Sequence, residues 1–341
     1  MADAITELDA LVLATGNAVG KKEYEGPLGQ LFDIHDNDDR FGKETWEKAE
    51  SEMQRLAFNL ALKKADLGFE DIDAIFAGDL LNQCVGSSYG LLGCNIPYFG
   101  LYGACSTSAE GLFLASVMAT HGVYDRVAVV TSSHNCAAER QYRTPIEYGG
   151  QRTPTSQWTV TGAGAFIVGN NRIDGSRSAA KIKAGMAGRV VDKGINDPNN
   201  MGAAMAPALC DTFCRFFSES ESRPSDYDLI VTGDLGHEGS AILRELMAVE
   251  GYDMGARYTD CGILIYDKRR QDTHSGGSGC GCSASVLSAH ILPEIEKGRY
   301  KRVIFVASGA MMSPDSVKQG QSIPAVGHLL LFEGAEKNNA R

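Results

Sequence analysis

Asp71-Ile72-Asp73-Ala74-Ile75-Phe76-Ala77-Gly78-Asp79-Leu80 returns, with its acids and its glycine in place, as Asp226-Tyr227-Asp228-Leu229-Ile230-Val231-Thr232-Gly233-Asp234-Leu235. Further along, Gly122 to Ser133 (GVYDRVAVVTSS) is matched by Gly298 to Gly309 (GRYKRVIFVASG), and Thr161 to Val168 is echoed more faintly by Ala325 to Phe332. The pairs keep their order and are displaced by about half the chain, which is too long a period for a solenoid and suits a duplicated half-molecule. Short apolar runs without polar alternation (Ala74 to Ala77, Val127 to Val130, Ala165 to Val168) read as strands covered on both faces.

Helices fill the intervals. Ala49, Met53, Leu56, Ala57, Leu60 and Ala61 form one stripe of an amphipathic helix over 44–65. Ser106 to Thr120 carries small and apolar residues, as a buried helix would. The second copy repeats the plan, with helical stretches near 201–217 and from Ser240 to Glu250. The apolar stretch Ile263 to Tyr266 and a helix through Leu287, Ile291 and Ile295 follow. The fold class expected is therefore α/β, a five-layer α-β-α-β-α body of two duplicated halves, 1–175 and 176–341, with two buried helices back to back. Residues 139–157 form a long insertion in the first half, between two strands. No Pro-, Gly- or Ser-rich linker separates the halves, so one continuous body is expected.

The 341 residues include 43% hydrophobic and 22% charged side chains, the balance of a globular protein. No apolar run reaches the roughly 18–20 residues of a membrane span, and no basic, apolar leader opens the chain. A formal charge of −11 argues against nucleic acid as a partner. Nine cysteines without a pairing rhythm read as reduced thiols. Cys280-x-Cys282 and Cys210-x-x-x-Cys214 are close pairs without histidines at metal spacing, so they read as small buried thiols and no metal site is expected. No Gly-x-Gly-x-x-Gly follows a strand, and no cofactor is expected. Gly86-Ser87-Ser88-Tyr89-Gly90 fits the nucleophile-elbow formula but lacks the preceding strand.

Cys105, in Gly103-Ala104-Cys105-Ser106-Thr107-Ser108, sits where the chain enters the buried helix, and unpaired N–H groups at such a terminus favour thiolate. Read from the residues alone, it is equally a nucleophile or a small buried thiol. Cys105 and Ser106 also offer backbone donors to an anion. Arg140, Arg143 and Arg152, with Tyr142, Tyr148 and Trp158, cluster in and beside the insertion; each arginine singly reads as a surface salt bridge, and the cluster as a whole as a contact for an anionic ligand. His134 and His328 lie at strand ends that run toward the cleft. Asp79 and Asp234 are equivalent by duplication; acid/base work and calcium binding are open to them, with shared loop-fixing hydrogen bonds the plainer reading.

The duplicated halves, the cysteine entering a central helix and the Gly-x-Gly-Ala before the last strand of the half resemble the thiolase superfamily. That resemblance implies a second-half histidine and a further His or Asn around the thiol. It also implies that the 139–157 insertion covers the cleft, as such an insertion does in thiolase-like folds. Residue by residue, the carry-over fails. The loop after Leu229 to Val231 reads Thr232-Gly233-Asp234-Leu235-Gly236, with His237 too late and read as part of a solvated turn; Ser278 or Cys280 stands where the His or Asn belongs.

A closer resemblance rests on Gly78-Asp79-Leu80-Leu81-Asn82-Gln83, the Cys105 motif, Ser132-Ser133-His134-Asn135, Ala138-Glu139-Arg140-Gln141, Glu147-Tyr148-Gly149-Gly150-Gln151, Ala204-Met205-Ala206-Pro207-Ala208 and Gly276-Gly277-Ser278-Gly279-Cys280. Over about residues 9–335 the chain is similar to the stage V sporulation protein AD family. The resemblance implies a thiolase-like fold and a non-catalytic role: binding dipicolinic acid (pyridine-2,6-dicarboxylate), free or as its calcium chelate, during uptake into the developing spore. It further implies a soluble protein made in the spore cytoplasm, peripheral at the inner membrane through membrane proteins of the SpoVA system, and the commonness of dimers among related folds suggests a homodimer. Ligand contacts expected on this basis are Cys105, as a vestigial nucleophile, with Ser106, His134, Arg140, Arg143, Asp79, Asp234, Ser278 and His328. An active acyltransferase or condensing enzyme using Cys105 is the alternative.

Overall fold

The computed structural model describes residues 4–142, 151–174 and 180–334. The principal elements of the first half are β1 (Ile5–Val19), α1 (Trp46–Ala65), β2 (Ala74–Gly78), α2 (Val85–Gly90), β3 (Tyr98–Gly100), α3 (Thr107–Thr120), β4 (Arg126–Ser133), α4 (Asn135–Tyr142) and β5 (Gly162–Asn170). Those of the second are β6 (Ala180–Met186), α5 (Met201–Glu219), β7 (Leu229–Thr232), α6 (Gly236–Val249), β8 (Tyr258–Asp260), α7 (Cys280–Val286), β9 (Arg302–Ala310), α8 (Pro314–Lys318) and β10 (Ala325–Glu333).

The strands follow the same order twice, β3-β2-β4-β5-β1 and β8-β7-β9-β10-β6. The directions repeat as well. In each half the three strands that begin this order run parallel, and the last two pair antiparallel. The first strands of the halves, β1 and β6, pair antiparallel from Ile5↔Met186 to Val12↔Ala180 and join the two sheets along one edge. These joining strands are not evident from the sequence, nor is the short edge strand β3.

Alternate strand residues serve different layers, which explains the unbroken apolar runs. Val127 and Val129 point into a central core with Phe76 and Phe166, with Val231, Phe305 and Phe332 of the second sheet, and with Ala109, Leu112, Val286 and Leu287 of the two buried helices. Ala128 and Val130 face outward, where Met53, Ala57, Phe58 and Ala61 of α1 cover them. On the far side, Met205, Leu209, Phe213 and Phe216 of α5 cover Ile230, Ile304 and Val306. The five layers are thus outer helix, sheet, paired helices, sheet, outer helices. Ser108 Oγ and Ser283 Oγ meet at 2.7 Å between the central helices, a polar stitch inside the core.

Three boundaries differ from the sequence reading. α6 begins at Gly236, before Ser240, because the Asp260 carboxylate accepts the N–H groups of Leu235 and Gly236 and holds the turn. Ile263 falls in a helical turn, Cys261–Leu264, and the strand precedes it as β8. α7 runs on through a π-helical turn, Leu287–Ile291, into Leu292–Glu296.

Candidate functional site

Cys105 lies in a 3-10 turn, Ala104–Ser106, at the entrance to α3. The turn is sharp. Ala104 takes φ +49°, a left-handed conformation costly for a residue with a Cβ. Hydroxyls brace it: Ser106 donates to Gly103 O at 2.7 Å and Thr107 donates to Ala104 O at 2.6 Å. Gly309 at the end of β9 presses on the same turn, since a Cβ there would stand 2.0 Å from Gly103 O. The strain is held by contacts from both halves.

The thiol faces a cavity of about 160 Å³. Leu80, Ala138, Met201, Met312 and Val317 give it apolar walls, and Glu139, Tyr142, Thr159, Asn199, Ser278 and Lys318 supply polar groups. Its mouth is formed by two irregular segments of the second half, 187–200 and 311–324. Backbone bonds lace them together: Val191 N–H to Ala325 O at 2.8 Å and Ile323 N–H to Ile195 O at 2.7 Å. Ser313 caps the short helix α8, which carries Val317 and Lys318 to the cavity. From the insertion, Glu139 and Tyr142 reach this wall, and Gln157 Nε2 donates to Asp234 O and Gly277 O.

Asp234 is the buried neighbour of the thiol. Its Oδ2 accepts from Gly279 N–H at 2.8 Å and from Ser278 Oγ at 3.2 Å. Gly279 reaches that position with φ +102°, where a Cβ would meet Ser133 Oγ at 2.6 Å. Burial pushes the Asp234 carboxyl up to about 7, against the hydrogen bonds from Gly279 and Cys105 that favour its charge. Burial also raises the Cys105 thiol well above its ordinary range, and the Asp234 carboxylate raises it further. Of the two readings left open for Cys105, burial favours the small buried thiol. A helix terminus contributes roughly 0.3–1 kcal/mol, less than the cost of burying an anion beside a carboxylate.

Asp79 and Asp234, equivalent by descent, have diverged. Asp79 fixes its own loop, accepting from Leu81 N–H, Ser87 N–H and Ser87 Oγ at 2.6–2.8 Å. That bond makes Ser87 a buried structural hydroxyl on α2. In the second half the loop-fixing task passes to Asp260, which leaves Asp234 to face Gly279 and the thiol.

Of the residues singled out from the sequence, Cys105 and Ser278 line the cavity and Asp234 stands behind them. Ser106 is buried in the turn and bonded to Gly103. His134 is buried away from the cavity, its Nε2 on Asp39 O at 2.8 Å and its ring beside Trp46. Arg140 ion-pairs with Glu47 on the surface. Arg152 packs over Trp158 and pairs with Asp272. His328 sits in β10, where its Nδ1 accepts from Gly188 N–H and burial lowers its pKa to about 4. Arg143 and Tyr148 lie outside the described residues. His237 occupies the first turn of α6, half-buried, instead of a solvated turn. Among the described residues no imidazole lines the cavity. Sequence reasoning missed Asn199 and Met312, which lie in irregular segments without periodicity or motif, and Lys318, which ends the helix α8, too short to show periodicity.

A buried cysteine opening a central helix between two repeated sheets defines a thiolase-fold protein. The chain superposes on cerulenin-bound OleA of Xanthomonas campestris with a TM-score of 0.62, at 15% identity over 96% of this chain and 97% of that one. It superposes on 3-oxoacyl-[acyl-carrier-protein] synthase III of Aquifex aeolicus VF5 with a TM-score of 0.54, at 15% identity over 95% and 99%. Likeness at that level carries the fold alone. Within the class the chain belongs to the stage V sporulation protein AD (SpoVAD) family, whose model matches residues 4–333. It is 42% identical over 331 residues to stage V sporulation protein AD of Bacillus subtilis (strain 168), covering 97% of this chain and 96% of that relative. No helix among the described residues is long and apolar enough to cross a membrane.

Proposed function

We propose that this sporulation-family protein uses the Cys105 cavity to bind pyridine-2,6-dicarboxylate and takes part in its uptake into the developing spore, without turning over an acyl substrate. The observation that carries this reading is the pairing of a buried, protonated thiol with a carboxyl group, in a cavity without an imidazole among its described walls. Condensing chemistry needs a thiolate and a positioned proton carrier; a neighbouring carboxylate works against the first. The cavity's size supports a single-ring ligand, since an engineered cavity of about 150 Å³ in another protein holds benzene. Leu80, Met201 and Met312 offer the ring a flat apolar contact. Asn199 can donate to a carboxylate oxygen and Lys318 supplies the cation, while the Tyr142 and Ser278 hydroxyls, which donate to Leu80 O and Asp234 Oδ2, can do so only by releasing those partners.

On this reading the protein works at the spore inner membrane through membrane partners, because it carries no span of its own among the described residues. A second copy would meet it along the β3 edge, where Tyr98, Phe99 and Tyr102 are exposed.

One observation favours the alternative, acyl transfer through Cys105. Asp234, titrating near 7 beside the thiol, is placed to act as its base. Calorimetric titration and thermal unfolding with pyridine-2,6-dicarboxylate, pyridine-2-carboxylate and acetyl-CoA separate the two. Saturation at 100 times Kd stabilises by about 2.7 kcal/mol, so the dicarboxylate should raise Tm and acetyl-CoA should not. No shift at millimolar dicarboxylate, or acyl labelling of Cys105 that turns over, refutes the binding reading. Lys318→Glu should weaken the dicarboxylate about tenfold or more while leaving the fold intact.

A further inference from the structure

Ser278 stands between the Cys105 cavity and Asp234, and its single hydroxyl proton serves one side at a time. The residue lines the cavity, and its Oγ donates to Asp234 Oδ2 at 3.2 Å. An ionised carboxylate only accepts hydrogen bonds, so beside a charged Asp234 this hydroxyl donates inward and shows the cavity its lone pairs. Asp234 Oδ2 also accepts from Gly279 N–H at 2.8 Å. Oδ1 is buried without an N–H or O–H donor, and the Cys105 thiol is the weak donor nearby. Half of the carboxylate is thus poorly compensated, an arrangement costly for a charge and much less so for a carboxylic acid.

Protonation reverses the hydroxyl. A neutral Asp234 carries an O–H that can donate to Ser278 Oγ, and the Ser278 proton is then free to turn to a ligand carboxylate. The same step removes a negative charge from behind the wall that an anion would meet. Resting on the reading that an aromatic dicarboxylate occupies this cavity, we infer that its binding turns Ser278 outward and fixes one proton on Asp234. The proton comes from solvent; one O–H bond forms on Asp234 and the ligand itself is unchanged. Capture is then favoured on the acid side and release on the alkaline side.

The other ionisable groups that face Asp234 are thiols and one carboxyl. Cys105, Cys261 and Cys282 are held above the ordinary thiol range, chiefly by burial, and stay neutral. Asp260 accepts from Leu235 N–H, Gly236 N–H and Thr232 Oγ1, titrates near 6 and is charged where Asp234 loses its proton. On the cavity side stand Tyr142, whose hydroxyl burial keeps protonated, Glu139, which accepts from Thr159 Oγ1 at 3.1 Å, and Lys318.

Calorimetric titration with pyridine-2,6-dicarboxylate at pH 6, 7 and 8, each in two buffers of different ionisation enthalpy, counts the protons. Asp234 titrates near 7 in the free protein. Uptake should therefore be close to none at pH 6 and close to one proton per ligand at pH 8, with Kd rising about tenfold between them. Asp234→Asn should bind with a Kd flat over this range and without uptake. Ser278→Ala should lose most of the uptake, which separates the hydroxyl's part from simple repulsion, and Glu139→Gln should keep it. A Kd flat with pH in the unaltered chain overturns the inference while leaving the dicarboxylate reading standing. So does uptake that survives Asp234→Asn or Ser278→Ala, uptake that vanishes in Glu139→Gln, or an Asp234→Asn protein that no longer binds. Neither heat nor a rise in Tm at any pH sinks that reading, and this inference with it.

Discussion

Replacing Asp234 by asparagine should stabilise the protein at alkaline pH and leave it nearly unchanged at acid pH. The folded carboxyl titrates near 7, against an ordinary value of 3.8. Below pH 3.8 both folded and unfolded chains hold the proton, and the group has no effect on stability. Between those values the folded chain alone holds it, so each rise in pH draws the equilibrium toward unfolding by about 1.4 kcal/mol per pH unit. Above 7 the penalty is complete, worth roughly 4 kcal/mol. Asparagine keeps an oxygen to accept from Gly279 N–H and Ser278 Oγ and never ionises. Urea unfolding at pH 5, 6, 7 and 8, for both proteins, gives the difference directly. It should be about 1.5 kcal/mol at pH 5, grow through pH 6 and 7, and level off above. The Cys105 thiol should also alkylate faster in the variant, having lost the carboxylate that raises its pKa. A difference that is flat with pH, or a variant less stable at pH 8, would refute the argument that Asp234 is buried at the expense of its charge.

Two further outcomes follow from contacts around the same turn. Gly309→Ala places a methyl group 2.0 Å from Gly103 O, so it should cost about 1–3 kcal/mol or more in unfolding free energy and lower pyridine-2,6-dicarboxylate affinity by displacing the Cys105 turn. Ser283→Ala should cost about 1–3 kcal/mol, because it leaves the buried Ser108 hydroxyl without its 2.7 Å partner, and Ser108→Ala should cost less, because Ser283 still donates to Cys280 O; the double change should cost less than the sum, which a double-mutant cycle in urea reads.

The duplication in the sequence, written in Asp71 to Leu80 and Asp226 to Leu235, determined by itself that one plan is used twice, while the strand order, with β1, β3 and β6 in it, came only from the structure. Short apolar runs such as Val127 to Val130 carry the signature of a strand covered on both faces, and that signature is local. The position of Cys105 at the entrance to α3 was equally legible, since small residues and the start of a helix are neighbours in the chain. What the thiol faces was not legible. Asp234, Ser278 and Lys318 come from three separate stretches of the second half, and irregular segments without periodicity bring the cavity wall together. Arg140 and Arg152 form the surface salt bridges that each reads as singly, with Glu47 and Asp272, and which arginines would meet a ligand was not legible from their clustering in the chain. Ionisation was also decided by the tertiary structure alone. A helix terminus, visible in the sequence, argues for thiolate at Cys105; burial and a carboxylate distant in the chain argue for the thiol and win, because desolvation of a charge outweighs a helix dipole.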